Sequence, residues 1–103
     1  MEAQIIKTNY YVEVTDERVD LDPPYVWQSE VFETKESALK LGRKIAAGFG
    51  RSDIKPLLTT GDYLNPNWFK SAQGSKKFLH VDIMAMEYYT EDGYDIKIEE
   101  NVK

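Results

Sequence analysis

The chain has 103 residues, with 13 Lys+Arg against 18 Asp+Glu, a formal charge of −5, 42% hydrophobic residues, one histidine and no cysteine. That length fits one domain built on one core. The absence of cysteine excludes disulfides, cysteine-ligated zinc, iron–sulfur clusters and thiol nucleophiles, and 13% aromatic residues argue against a disordered chain.

Residues 5–15 alternate with period two. Ile6, Thr8, Tyr10, Val12 and Val14 share one face, and Lys7, Asn9, Tyr11, Glu13 and Thr15 share the other. β-Branched and aromatic residues at this period predict a half-buried strand. Residues 16–24 are rich in charge and end in Pro23-Pro24, which removes two backbone donors, so they read as a loop. Residues 25–33 resume a strand with Tyr25, Val26, Trp27, Val31 and Phe32. The alternation breaks near residues 28–30, as a β-bulge would make it. The two strands are expected to form a hairpin with a long, acidic connection.

Thr34 has the chemistry of a helix N-cap, and Glu36 suits the positive end of the helix dipole. Over residues 35–48, Ala38, Leu39, Leu41, Gly42, Ile45 and Ala46 fall, with Phe49, within an arc of about 160° at helical spacing. Lys40, Arg43 and Lys44 lie opposite, joined by Arg51 if the helix reaches it. Gly42 sits on the apolar arc. Glycine costs up to ~1 kcal/mol inside a helix, and close approach to a sheet would account for it there. Gly48 or Gly50 is the expected stop.

Residues 51–77 give weaker signals. Ile54, Leu57 and Leu58 suggest a short strand that Pro56 would confine to an edge. Asn65-Pro66 has the pattern of a helix start, with one or two turns over residues 67–72 and a stop at Gly74. Residues 78–90 predict a long strand with Leu79, Val81, Ile83 and Ala85 on one face. Met84, Met86 and Tyr88 make the other face apolar too, so either both faces are covered or a bulge swaps them. Glu91-Asp92-Gly93 reads as a three-residue hairpin loop with Gly93 in the left-handed region. That register sets Glu87 opposite Lys97, Met86 opposite Ile98 and Tyr88 opposite Ile96. Residues 94–102 alternate again. The predicted order is β-β-α-(β)-β-β, an α+β domain spanning residues 1–103. Its antiparallel sheet has four to five strands, with one amphipathic helix packed on one face.

No phosphate-loop, dinucleotide-binding or nucleophile-elbow motif occurs. Gly48-Phe49-Gly50-Arg51-Ser52 follows a helix instead of preceding one, so the dipole has the wrong sign for phosphate. His80, the sole histidine, has Asp82 on its strand face but no nucleophile that the sequence can place beside it. Asp20 and Asp22 lack the glycine and terminal glutamate of a calcium loop. No catalytic residue, metal ligand or cofactor is therefore assigned, and the chain is expected not to be an enzyme. Its apolar runs are far shorter than the ~20 residues that span a bilayer, and residues 1–7 have no signal-peptide pattern. A soluble, cytoplasmic protein is expected.

Charge is the sharpest feature. Residues 1–33 carry eight acids and two bases, residues 34–81 nine bases and three acids, and residues 82–103 seven acids and two bases. An uneven distribution of this kind marks candidate partner surfaces. The favoured reading is a small acidic module that binds a protein, with seven tyrosines and two tryptophans to serve as anchors. Its acidic candidates are Glu13, Asp16, Glu17, Asp20, Asp22, Glu91, Asp92 and Asp95. A specific version is an inhibitor whose carboxylates stand where a partner expects phosphates, in the manner of small acidic proteins of phages and mobile elements. The alternative is nucleic-acid binding through Lys40, Arg43, Lys44 and Arg51 on the helix, with Trp68, Lys70, Lys76 and Lys77 beyond it. A third possibility is a homodimer formed through an exposed sheet edge at residues 25–33 or 94–102.

Overall fold

Each strongly patterned segment becomes one element of a computed structural model that describes residues 4–17, 25–48 and 79–103. Strand β1 is Lys7–Asp16, β2 is Tyr25–Gln28, helix α1 is Lys35–Gly48, β3 is Leu79–Tyr88 and β4 is Tyr94–Asn101. The strands form one antiparallel sheet in the order β2-β1-β3-β4. The helix lies against β1 and β3, the two central strands. This is the predicted α+β order with four strands. The short strand and helical turns expected within residues 51–77 lie outside the described residues.

The core follows from alternation. Val12 and Val14 of β1 and Leu79, Val81 and Ile83 of β3 point to the same side and meet Ala38, Leu41 and Ile45 of α1. Fully burying an aliphatic side chain of this kind contributes about 1.5–3 kcal/mol. Thr34 caps the helix: its Oγ1 accepts from the Ser37 amide at 3.3 Å and donates to Ser37 Oγ at 2.9 Å. A cap of this kind contributes about 1 kcal/mol. Gly42 sits where the helix touches the sheet. A Cβ there would come within 2.8 Å of Ile83 Cδ1, so the close approach expected from the sequence is real.

Two bulges set which side chains enter the core. Glu13 pairs with Gln28, but Tyr10 pairs with Phe32, so one extra residue lies on the β2 side between them. Ser29 bridges the gap. Its amide donates to the Val12 carbonyl, and its Oγ accepts from the Val12 amide at 2.8 Å. The extra residue lets Trp27 and Phe32, five positions apart, both pack against the core under the helix. The second bulge is on β4: Ile83 pairs with Glu100, whereas Met84 pairs with Ile98, so Glu99 is the extra residue. It turns Val102 into the core and leaves Ile96 and Ile98 on the opposite side of the sheet.

Of the alternatives posed for residues 78–90, the first holds, and β3 runs against β1 without a break in register. Tyr11, Met84 and Met86 are buried on the side away from the helix, and the bulge swaps faces on β4 instead of β3. The hairpin register differs from the predicted one by two residues: Tyr88 pairs with Tyr94, Met86 with Ile96 and Glu87 with Asp95. The connection is residues 89–93, closed by the Tyr89 amide on the Gly93 carbonyl at 3.0 Å and the Gly93 amide on Thr90 Oγ1 at 2.7 Å. The Thr90 hydroxyl holds the glycine and makes the longer loop the stable one. A two-residue shift keeps every side chain on its face. Lys97 accordingly still reaches Glu87, now diagonally, at 3.5 Å.

Candidate functional site

The helix covers one side of the sheet, and the other side carries a second apolar set. Tyr11, Met84 and Met86 are its buried members, with Tyr88 packed against them. The register places Tyr94 opposite Tyr88, Ile96 opposite Met86 and Ile98 opposite Met84. These three extend the set to the β4 edge, where they remain 44%, 48% and 61% exposed. A depression of about 250 Å³ crosses this face from Ser29 and Val31, over Tyr11 and Met86, to Tyr94 and Ile96. Val31 reaches it because the β2 bulge turns Phe32 inward and Val31 out. Tyr88 and Tyr94 pack ring against ring, tilted by 44° with centroids 5.0 Å apart, and Lys7 Nζ lies 4.4 Å over the Tyr88 ring.

The Tyr11 hydroxyl is pushed above its ordinary value of 10.0, first by burial and then by the nearby Glu13 carboxylate and Tyr94. Both effects disfavour the phenolate. Because the folded chain holds this proton more tightly than the unfolded one, the contribution to stability is complete below pH 10. It is lost as pH rises through the folded-state value. In an ultraviolet titration of phenolate absorbance, Tyr11 is expected to ionise late, together with alkaline unfolding. Tyr89 is raised as well, so Tyr11→Phe should reduce that late phase without abolishing it.

Carboxylates sit at both ends of the open face. At one end are Glu13, which accepts from Gln28 Nε2 at 3.2 Å, Asp82, which accepts from Asn101 Nδ2 at 2.7 Å, and Glu17, 3.1 Å from His80 Nε2. At the other end are Glu91 and Asp92, exposed in the β3–β4 connection. Asp95 is also at that end but, opposite Glu87, lies on the helix side of the sheet. The two ends are separated by most of a strand, roughly 20–30 Å at about 3.4 Å per residue. The structure thus divides the acidic candidates instead of gathering them.

Asp16 leaves the acidic surface altogether. It is the last residue of β1, paired with Tyr25 and Leu79, and fully buried. The strand extends one residue into what the sequence presented as a loop. Asp20 and Asp22 lie outside the described residues.

Lys40, Arg43 and Lys44 are exposed on the outer side of α1, on the far side of the molecule from the open face. Arg51, Trp68, Lys70, Lys76 and Lys77, which would complete that basic surface, lie outside the described residues. No group of three or more metal-ligating side chains occurs among the described residues, and no described helix is long and apolar enough to cross a membrane.

Sequence reasoning identified the acidic and basic sets but not the open face as a surface. Its signal was present as two apolar runs at period two, Met84-Met86-Tyr88 and Tyr94-Ile96-Ile98. The predicted hairpin already sets these runs side by side; the sheet order adds Tyr11 of β1 to them and places the helix on the other side. Comparison with known proteins finds no family model, no curated protein and no solved structure that matches this chain.

Proposed function

We propose that this chain is a small, acidic, non-enzymatic binding module that holds another protein on the open face of its sheet. The observation that carries this reading is the exposure of Tyr94, Ile96 and Ile98, continuous with the buried Tyr11, Met84 and Met86. A contiguous apolar set left in water is costly for solubility and marks contact surfaces. Aromatic, methionine and isoleucine side chains at its centre, with charge at its ends, match the anatomy of protein interfaces. The carboxylates at the ends, Glu13, Glu17 and Asp82 against Glu91 and Asp92, favour a partner that presents an apolar segment between lysines or arginines. The narrower version, an inhibitor using carboxylates in place of phosphates, draws on these two end groups, without Asp16.

The alternative is nucleic-acid binding by the outer side of α1. It is favoured by the three exposed cations Lys40, Arg43 and Lys44 on one side of the helix. One experiment separates the two readings. Tagged wild type is used for affinity capture from host lysate with and without nuclease, beside an Ile96→Asp/Ile98→Asp variant and a Lys40→Glu/Arg43→Glu/Lys44→Glu variant. The expected result is a protein that survives nuclease, is retained by the helix variant and is lost with the sheet variant. Capture that disappears with nuclease or with the helix variant would overturn the proposal in favour of nucleic acid. Capture indifferent to the sheet variant would remove the open face from the function.

A further inference from the structure

The edge of β4 has a property that its exposed face does not explain. The amide of Tyr89 donates to the Gly93 carbonyl, and Val102 donates to the Val81 carbonyl. Between these points β3 and β4 pair as Glu87 with Asp95 and Ala85 with Lys97. Antiparallel ladders alternate hydrogen-bonded and open pairs, so Asp95 and Lys97 direct their amides and carbonyls at β3. Tyr94, Ile96 and Ile98 direct theirs outward, at a free edge. Among the described residues nothing pairs with that edge.

We infer that this edge pairs with the same edge of a second copy, antiparallel and centred on Ile96, to give a two-fold dimer in which the four described strands of each copy join in one continuous sheet. The register is chosen by charge. Centred on Ile96, the strand sets Ile96 against Ile96 of its mate and Tyr94 against Ile98, all on the open face. On the other face it sets Asp95 against Lys97 twice. Opposite charges directly across a ladder stabilise it, and like charges destabilise it. Centring on Lys97 would oppose Lys97 to itself and Asp95 to Glu99. Centring on Asp95 would oppose Asp95 to itself. Centring on Ile98 would run the ladder through the bulge at Glu99. Odd shifts would put the isoleucines on opposite faces.

The stretch Tyr94 to Ile98 holds no proline or glycine, and its outward groups would make roughly six backbone hydrogen bonds across the two-fold axis. Lysines and bulges ordinarily guard sheet edges. Here Lys97 and the Glu99 bulge reject neighbouring registers while matching this one. Lys97 is 54% exposed and already meets Glu87 and Glu99 at 3.5 and 3.7 Å, so it sits in an acidic surplus that a second copy would extend with its own Asp95. The dimer places the two open faces side by side, doubling the apolar surface. It rests on the edge and its charges, not on the identity of any other partner.

The test is sedimentation velocity of the full chain from micromolar to millimolar concentration, at low salt, with folding of every variant checked by circular dichroism. The wild type is expected to shift toward twice its 11.9 kDa mass as concentration rises. Asp95→Lys opposes four lysines and Lys97→Asp opposes four aspartates, so each alone is expected to stay monomeric. Mixed one to one, the two variants are complementary in this register and should form a heterodimer. A wild type that remains monomeric throughout would overturn the proposal. A dimer that survives both single reversals, or a mixture that fails to associate while both variants are folded, would overturn it equally.

Discussion

Ile83→Ala is expected to remove about 2–5 kcal/mol of stability, a large part of the roughly 5–15 kcal/mol that a domain ordinarily has. Ile83 is fully buried and forms part of the cluster shared by β1, β3 and α1. Its Cδ1 fills the notch left by Gly42. Truncation would leave a cavity that the helix cannot easily close, because Ala38, Leu41 and Ile45 already hold it on the sheet. Ile45→Ala, on the helix side of the same contact, should fall in the same range. Urea denaturation with an unchanged slope would measure both effects. A loss below about 1 kcal/mol in either variant would mean that this is not the principal core.

The same contact gives a sharper result in a double-mutant cycle. Gly42→Ala gains helix propensity, up to about 1 kcal/mol, but places a methyl group 2.8 Å from Ile83 Cδ1. That methyl is the end of a side chain, yet a fully buried one with few other places to go. In wild type the two effects oppose each other. Ile83→Val deletes the offending atom, so Gly42→Ala should be more favourable on that background. The coupling is expected within the 0.5–3 kcal/mol seen for residues in contact. Additive effects would mean that helix and sheet do not approach as closely as described.

What was legible in the sequence was local. The bounds of α1 follow from a threonine cap, an apolar arc and a terminal glycine, all within fifteen residues. The β2 bulge was legible because Trp27 and Phe32 are an odd number of residues apart and both too large to leave outside. The hairpin register was misread for a physical reason. Glu91-Asp92-Gly93 is a good turn sequence, and a two-residue shift preserves both faces and the contact between Glu87 and Lys97, so alternation and charge cannot separate the two registers. The hydrogen bond from Gly93 to Thr90 decides the matter. Asp16 was misread because nothing in its charge reveals that the strand runs one residue further and takes it inside. The open face was missed because the predicted hairpin joins only the β3 and β4 runs, and Tyr11 of β1 and Val31 beyond β2 come beside them only once the sheet has formed.

The open face should also divide in its response to substitution, and this is the second large effect expected. Met86→Ala and Met84→Ala remove buried thioether side chains and should cost about 2 kcal/mol each, the lower end for such truncations, since a one-sided cluster can partly collapse. Ile96→Ser and Ile98→Ser remove side chains that are about half or more exposed. They should cost less than about 1 kcal/mol, mainly through lost strand preference. Both sets lie on the same face and in the same cross-strand pairs, so the difference cannot come from position along the strands. Folding accounts for the methionines but not for two isoleucines facing water. If the serine variants keep their denaturation midpoints while losing association, either with another protein or with a second copy, these isoleucines serve a contact made after folding. If instead they unfold as readily as the methionine variants, the apolar stripe on β4 holds the sheet together, and the partner face loses its main support.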